Sequence, residues 1–171
     1  MENVLEMQEQ LIFNREINMQ LDKIVNRANK TVSRLKPGKN SNSLEESQIR
    51  NVLNVANDSP IIEVVTNFIR YQIGRSKTGK QWQYNNFGEQ VITDIESDIV
   101  FKCAGSVADE TIKKLKNKVP NLERDLLFYQ AHIKLMKLYL GYINWAFKYS
   151  NENNDQKCWN RLVGKESKDV S

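Results

Sequence analysis

Apolar residues recur at three- and four-residue steps along most of the chain, the spacing of one helix face. Over residues 4–35, Leu5, Ile12, Ile17, Leu21, Ile24 and Val32 stand among polar positions, which predicts an amphipathic helix with room for a break. Lys36-Pro37-Gly38-Lys39-Asn40-Ser41-Asn42 is a loop by composition. Ser43-Leu44-Glu45-Glu46 matches a capping box, in which the serine oxygen accepts from the amide three residues on and Glu46 reaches back. A helix to about Asn57 should follow, with Ile49, Val52, Leu53 and Ala56 on one side. Asp58-Ser59-Pro60 is a second start signal, since proline is tolerated in a first turn. That helix should run to Ile73 and stop at Gly74; the β-branched run at 61–65 makes a strand the competing reading.

Residues 75–86 are expected as a polar loop. Residues 87–104 predict a third helix with Val91, Ile92, Ile95, Ile99 and Val100 as core, and residues 108–119 a short lysine-rich helix ended by Pro120-Asn121. The last and longest, residues 122–149, carries Leu126, Tyr129, Ile133, Met136, Leu140, Ile143 and Phe147. The expected fold is therefore all-α: a compact bundle of about five helices with a long C-terminal helix. The organisation predicted is an N-terminal amphipathic and basic extension (residues 1–42), a helical bundle domain (43–150) and a polar, disordered tail (151–171).

Charge sharpens this outline. The net charge is only +4, but six basic residues and no acidic one fall within residues 23–43. Four of them, Lys23, Arg27, Lys30 and Arg34, are spaced four, three and four apart and would form one positive helix face. A second acid-free stretch, residues 64–88, carries Arg70, Arg75, Lys77 and Lys80 among Tyr71, Trp82 and Tyr84. Charge gathered in two zones points to a polyanionic partner more than net charge does. Cys103 and Cys158 lie far apart with no Cys-x-x-Cys pair, so a disulfide framework is not expected and the reducing cytoplasm is the default setting. The first nine residues carry no apolar signal-peptide core. The apolar run at 126–147 is interrupted by Gln130, His132, Lys134, Lys137 and Asn144, a polar load foreign to a membrane helix.

Candidate catalytic chemistry is sparse. Gly74-Arg75-Ser76-Lys77-Thr78-Gly79-Lys80 matches seven positions of a P-loop, but the eighth, which should supply a magnesium-binding hydroxyl, is Gln81. No alternating strand–helix pattern surrounds it. His132, the single histidine, falls in the long apolar helix, where a half-buried and hydrogen-bonded role is expected rather than a zinc ligand. Asp94 and Asp98 share a face of the third predicted helix, set opposite most of its apolar stripe and expected to be solvated. Lys113, Lys114, Lys116 and Lys118 are dense, yet Glu110 stands at pairing distance from the first two. Tyr139, Tyr142, Trp145 and Tyr149 suit core or subunit contact. No active site, metal or cofactor is predicted.

Three segments together resemble a known pattern. Ser47-Gln48-Ile49-Arg50-Asn51 sits just after a helix cap. A helix ends in Phe68-Ile69-Arg70-Tyr71-Gln72-Ile73-Gly74-Arg75, and a tyrosine-rich final helix carries Tyr139, Tyr142, Ala146 and Tyr149. Over residues 43–150 this resembles the small subunit of type III CRISPR effector complexes of the Csm type. The family pattern often has an acidic residue after Gly-Arg, where this chain has Ser76, and the chain adds about forty N-terminal residues and extra sequence around 102–120. The resemblance implies a non-catalytic helical bundle that stacks in several copies beside other effector-complex subunits. It also implies contact with the backbone of the guide RNA–target RNA duplex, with RNA contact falling on Arg50, Arg70 and Arg75. Charge placement extends the expected RNA-binding set to Lys77, Lys80, Arg34, Lys36 and Lys39. A subunit that follows a guide of arbitrary sequence must read phosphates and sugars rather than bases. The alternative expectation is a helical protein–protein docking module, its aromatic C-terminal helix forming the surface and its basic stretches incidental.

Overall fold

The computed structural model describes residues 2–35, 44–75, 82–115 and 122–153. The expected all-α bundle is what it shows. Six α-helices follow in order: α1 (Glu2–Val32), α2 (Glu46–Asp58), α3 (Ile62–Arg75), α4 (Phe87–Glu96), α5 (Ile99–Leu115) and α6 (Arg124–Asn153), with a short 3-10 turn at Tyr84–Asn86 before α4. Helix α3 begins at Ile62, so residues 62–65 are helical, and its buried positions Ile62, Val65, Thr66, Ile69 and Gln72 recur at helical spacing. The predicted tail lies outside the described residues beyond Asn153, and α6 runs four residues past its expected end at Tyr149.

One core joins all six helices. Ile17, Ile24, Ala28 and Val32 of α1 are buried in the same cluster as Ile49 and Val52 of α2, Val65 and Ile69 of α3 and Leu135, Met136 and Ile143 of α6. The N-terminal segment expected as an extension is thus a packed element that touches α5 and α6 extensively. Its first turns differ from the rest: residues 4–12 include none that is buried, and Val4, Met7 and Leu11 are exposed.

Three boundaries move from their expected places. The cap of α2 is Glu45, which forms a capping box with Gln48, rather than Ser43 with Glu46. Leu44, just outside this cap, and Ile49, four residues into the helix, are both buried. These are the paired positions of a hydrophobic staple, and burying them sets the register. The predicted helix over 87–104 breaks at Ser97, while no break occurs at 105–107. Cys103, Ala104, Val107, Ala108 and Thr111 form one continuous buried stripe, so α5 has no reason to end there. In α6, Met136, Leu140, Ile143 and Phe147 are buried as expected, Leu126 and Tyr129 are exposed, and Leu127, Ala131, Leu135, Tyr139 and Ala146 join the buried stripe.

The largest departure concerns Asp94. Expected on a solvated face, it is fully buried, at 0% exposure. The helical period explains this: seven residues after Phe87, Asp94 returns to within about 20° of the same direction, and Phe87 is itself buried. Its carboxylate accepts hydrogen bonds from Arg27 Nε (2.9 Å) and Nη2 (2.6 Å), Thr31 Oγ1 (3.0 Å), Gln90 Nε2 (2.8 Å) and Tyr139 Oη (2.5 Å). Arg27 therefore leaves the positive face predicted for α1. It also pairs with Asp98 in the α4–α5 connection at 3.1 Å. The hydrogen bond that Arg27 donates to Asp94 raises the Arg27 pKa further, and burial raises that of Tyr139, so the guanidinium stays charged and the phenol neutral. His132 behaves as expected: it is buried, its Nε2 lies 2.7 Å from the Ile95 carbonyl oxygen, and Phe101 and Phe128 flank the ring.

Asp94→Ala should destabilise the fold by about 3–5 kcal/mol, because it removes the buried acceptor shared by Arg27, Thr31, Gln90 and Tyr139 and leaves Arg27 only the partly exposed Asp98. Urea unfolding at neutral pH measures this, and a loss under about 1 kcal/mol would contradict a structural role for the carboxylate. A second prediction follows from His132. Burial lowers its pKa from the ordinary 6.5. Below that value the unfolded chain takes up a proton that the folded chain refuses, so stability is full above it and falls as the pH drops. Unfolding free energies between pH 7.5 and 5.5 should show this slope, and His132→Phe should flatten it.

Candidate nucleic-acid interface

Hydrogen bonds between helices fix which ends lie together. Along α6, Lys134 Nζ donates to Asn14 Oδ1 (2.6 Å), and Tyr139 Oη lies 3.3 Å from Thr31 Oγ1. The numbers rise together, so α1 and α6 run in the same sense. Against α2 they run oppositely: Tyr129 Oη donates to the Pro60 carbonyl (2.9 Å) and Lys137 Nζ to that of Asn57 (3.5 Å). The start of α2, with Arg50, therefore lies toward the C-terminal half of α6, as does the end of α1. The three-residue connection between α2 and α3 makes those helices antiparallel neighbours. That sets the end of α3 beside the start of α2.

A polar segment then joins the ends of α1 and α3. Asn85 Nδ2 donates to the Arg34 carbonyl (2.7 Å), and Gln83 Nε2 donates to the Ile73 carbonyl (3.1 Å). Asn85 and Asn86 adopt left-handed conformations, with φ of 47° and 56°. Asparagine is among the few residues that tolerate this region, because its short amide can bond locally. Trp82 packs on Phe87 at 5.5 Å between ring centres, and the Gly88 amide donates to the Trp82 carbonyl at 2.8 Å. A side chain at Gly88 would meet Ile73 Cγ1 at 2.8 Å and the Trp82 carbonyl at 3.0 Å, so the turn closes only over glycine.

This arrangement brings the two acid-free stretches to one end of the bundle. Arg34 and Arg75, distant in sequence, flank the same turn. Among the described residues no carboxylate pairs with Lys30, Arg34 or Arg75. Arg75 instead stacks over the Tyr71 ring at 5.8 Å, a cation–π contact that leaves its donors available. Glu89 in the first turn of α4 is the acidic residue nearest this turn in sequence. Lys36, Lys39, Lys77 and Lys80 lie outside the described residues; the segments that carry them leave from Leu35 and from Arg75.

The other two arginines are engaged. Arg50, more than half exposed, pairs with Glu46 one turn earlier. Arg70 Nη2 donates to both carboxylate oxygens of Glu96, at 2.7 and 2.8 Å, and Nη1 donates to Asn67 Oδ1. Arg70 thus ties α3 to α4, and only exchange of Glu96 for a phosphate would let it serve RNA. Of the lysine cluster, Lys113 pairs with Glu110 as its spacing implied, and Lys114 reaches Glu16 of α1. Lys116 and Lys118 lie outside the described residues.

The aromatic residues of α6 divide between core and surface. Tyr139 is in the core, whereas Trp145 is 69% exposed and Tyr149 is also exposed, with Tyr142 edge-on to Trp145 at 5.7 Å. Sequence reasoning placed these four together; the helical wheel separates Tyr139 from Trp145 by about 120°. Among the described residues no group of His, Cys, Asp or Glu is arranged to hold a metal ion, and no helix is long and apolar enough to cross a membrane. No family model, curated protein or solved structure matches the chain.

Gly88→Ala should cost about 1–3 kcal/mol, the range for a methyl group forced into a packed site. Thermal unfolding with circular dichroism measures it. A wild-type transition in this variant would show that the Gly88 contact with the turn does not hold the two helix ends together.

Proposed function

We propose that the chain is a non-catalytic, RNA-contacting small subunit of a type III CRISPR ribonucleoprotein, holding a guide RNA–target RNA backbone without reading its sequence. The observation that carries this proposal is the meeting of the two acid-free stretches, through Arg34 and Arg75, at one end of the bundle. Cations on helix ends and turns suit phosphates spaced along a backbone, and contact with phosphates rather than bases suits a guide of any sequence. Arginine adds bidentate geometry that lysine lacks. The working set is Arg34 and Arg75, with Arg50 beside them and Arg70 conditional on release from Glu96. The lysines at 36, 39, 77 and 80 are proposed to extend it. The partners are guide and target RNA, large effector-complex subunits and neighbouring copies of the chain, all in the cytoplasm. A few phosphate contacts per copy give weak binding alone, and lateral neighbours raise it through effective concentration.

One observation favours a second reading. The exposure of Trp145 and Tyr149 on α6 also fits a protein-docking module in which the arginines play no part.

Ionic strength separates the two. RNA retention should fall steeply with salt, and Arg75→Glu or Arg50→Glu should weaken it while helicity and thermal stability stay at wild type. Each lost phosphate contact should reduce the slope of log K against log salt by about 0.7 to 0.9. The tagged chain, purified at moderate salt from its own host, should bring large protein subunits and short RNAs of discrete length. Recovery of a protein partner without RNA, insensitive to salt, would replace the RNA reading by the docking module.

A further inference from the structure

Helix α1 changes character along its length. From Phe13 onward, Phe13, Ile17, Ile24 and Ala28 form the line that is buried in the core. In the first three turns the pattern reverses. By helical spacing Glu2, Glu6 and Glu9 continue the buried line, while Val4, Met7 and Leu11 stand on the opposite side. Met7 and Leu11 are 70% and 71% exposed, Val4 is exposed as well, and residues 4–12 include none that is buried. Packing on the bundle therefore does not hold these turns, and exposed apolar side chains grouped in this way mark a contact surface. The charge of this segment has one sign. The chain has three acids and no base before Arg15, and among the described residues Glu6 and Glu9 pair with no base.

The other end of the same helix is the complement. Between Lys23 and Ser43 there are six bases and no acid. Among the described residues no carboxylate pairs with Lys30, Arg34 or Arg75, and the three outnumber Glu89 in the first turn of α4. Two exposed rings lie among them. Tyr71 carries Arg75 over its face, and Tyr84 precedes the Asn85 that bonds the Arg34 carbonyl. An apolar stripe that includes a methionine packs well on such rings. A helix of 31 residues is about 46 Å long, so the start of α1 cannot fold back on its own basic end. Two starts laid side by side would set three acids against three. We infer that the first three turns of α1 dock on the basic, ring-bearing Arg34–Arg75 end of a second copy of this chain. Val4, Met7 and Leu11 make the apolar contact with Tyr71 and Tyr84. The glutamates, one helix width behind, lie within the range over which charges attract at low salt. The docking stands on these surfaces alone, while its consequence for RNA rests on the RNA-contacting reading and deepens it. Arg34 and Arg75 cannot hold a phosphate backbone and the start of another copy at once, so this self-association and RNA binding exclude one another. Copies set side by side on RNA would meet through other surfaces.

Sedimentation equilibrium on the full chain tests the contact. At low salt the mass should rise with concentration above the 19.9 kDa of one chain, and high salt should lower it again. Deletion of residues 2–11 should leave a monomer that unfolds at the wild-type temperature. Glu6→Lys with Glu9→Lys in one variant, and Lys30→Glu with Arg75→Glu in another, should each be monomeric, because like charges then meet. None of these four positions is buried, so the folds should survive. An equimolar mixture of the two variants should associate again, since the lysines of one start match the glutamates of the other end. A monomeric wild type would overturn the docking and assign the apolar stripe to a foreign partner. Association that survives the deletion, or a mixture that stays monomeric where wild type associates, would overturn it as well. A short RNA duplex should dissociate the wild-type assembly. A duplex that binds no form of the chain would overturn the RNA reading and leave the docking in place; one that binds the assembly without dissociating it would overturn the exclusion.

Discussion

The carboxylate of Asp94 receives donors from α1, α4 and α6 at once, and the position of every other feature follows from that meeting. Removing a carboxylate from water costs several kcal/mol, and the cost is offset only when charge and hydrogen bonds surround it. Here Arg27 supplies the charge, and Thr31, Gln90 and Tyr139 complete the shell. A hydrophobic core tolerates small slides of one helix over another; a saturated carboxylate does not. Arg27 extends the constraint by reaching Asp98 between α4 and α5, so four helices are indexed to one another through two acids.

That indexing decides what the basic residues can do. With α1 and α6 held in the same sense, the last turn of α1 points to the C-terminal half of α6, and the turn at 83–85 clasps it to the end of α3. Of the four described cations among those singled out from the sequence, Arg70 and Arg50 have carboxylate partners and Arg34 and Arg75 do not. Arg70 spends its donors on Glu96, while Arg75 is exposed and Arg34 half-buried beside the turn. An exposed ion pair such as Arg50 with Glu46 contributes little to stability and opens at small cost.

Much of the fold was legible because hydrophobic periodicity reports burial directly. Helix α2 and the body of α6 emerged from their stripes, and the helix-or-strand ambiguity at 61–65 resolved toward the proline-led start. What misled was the treatment of polar residues as solvent-facing. Asp94 stands on the Phe87–Val91 stripe by helical arithmetic, and Arg27 lies on α1 one position before the buried Ala28. An acid and a base on two apolar faces signal a buried pair, but only the tertiary packing says they are each other's partners. The break at Ser97 was hidden for the same reason: it carries neither proline nor glycine, and Asp98 beyond it is secured by Arg27 and Lys102. The basic clusters were visible as composition; their convergence depended on two side-chain amides bonding two distant carbonyls.

The depth of contact between the two ends of the chain bears on how the protein is made. Asn14 meets Lys134, and Thr31 meets Tyr139, across 120 and 108 residues. Contacts of such separation close late, because a long loop must be ordered before they repay its entropy. During synthesis α1 emerges before α5 and α6, the two helices it packs against most, so its buried face waits for both. Until then Ile17, Ile24 and Val32 lack their full cover, and Arg27 lacks its carboxylates until α4 has been made. The nascent chain thus presents to chaperones a long amphipathic helix whose C-terminal part is basic, and α5 and α6 together withdraw it.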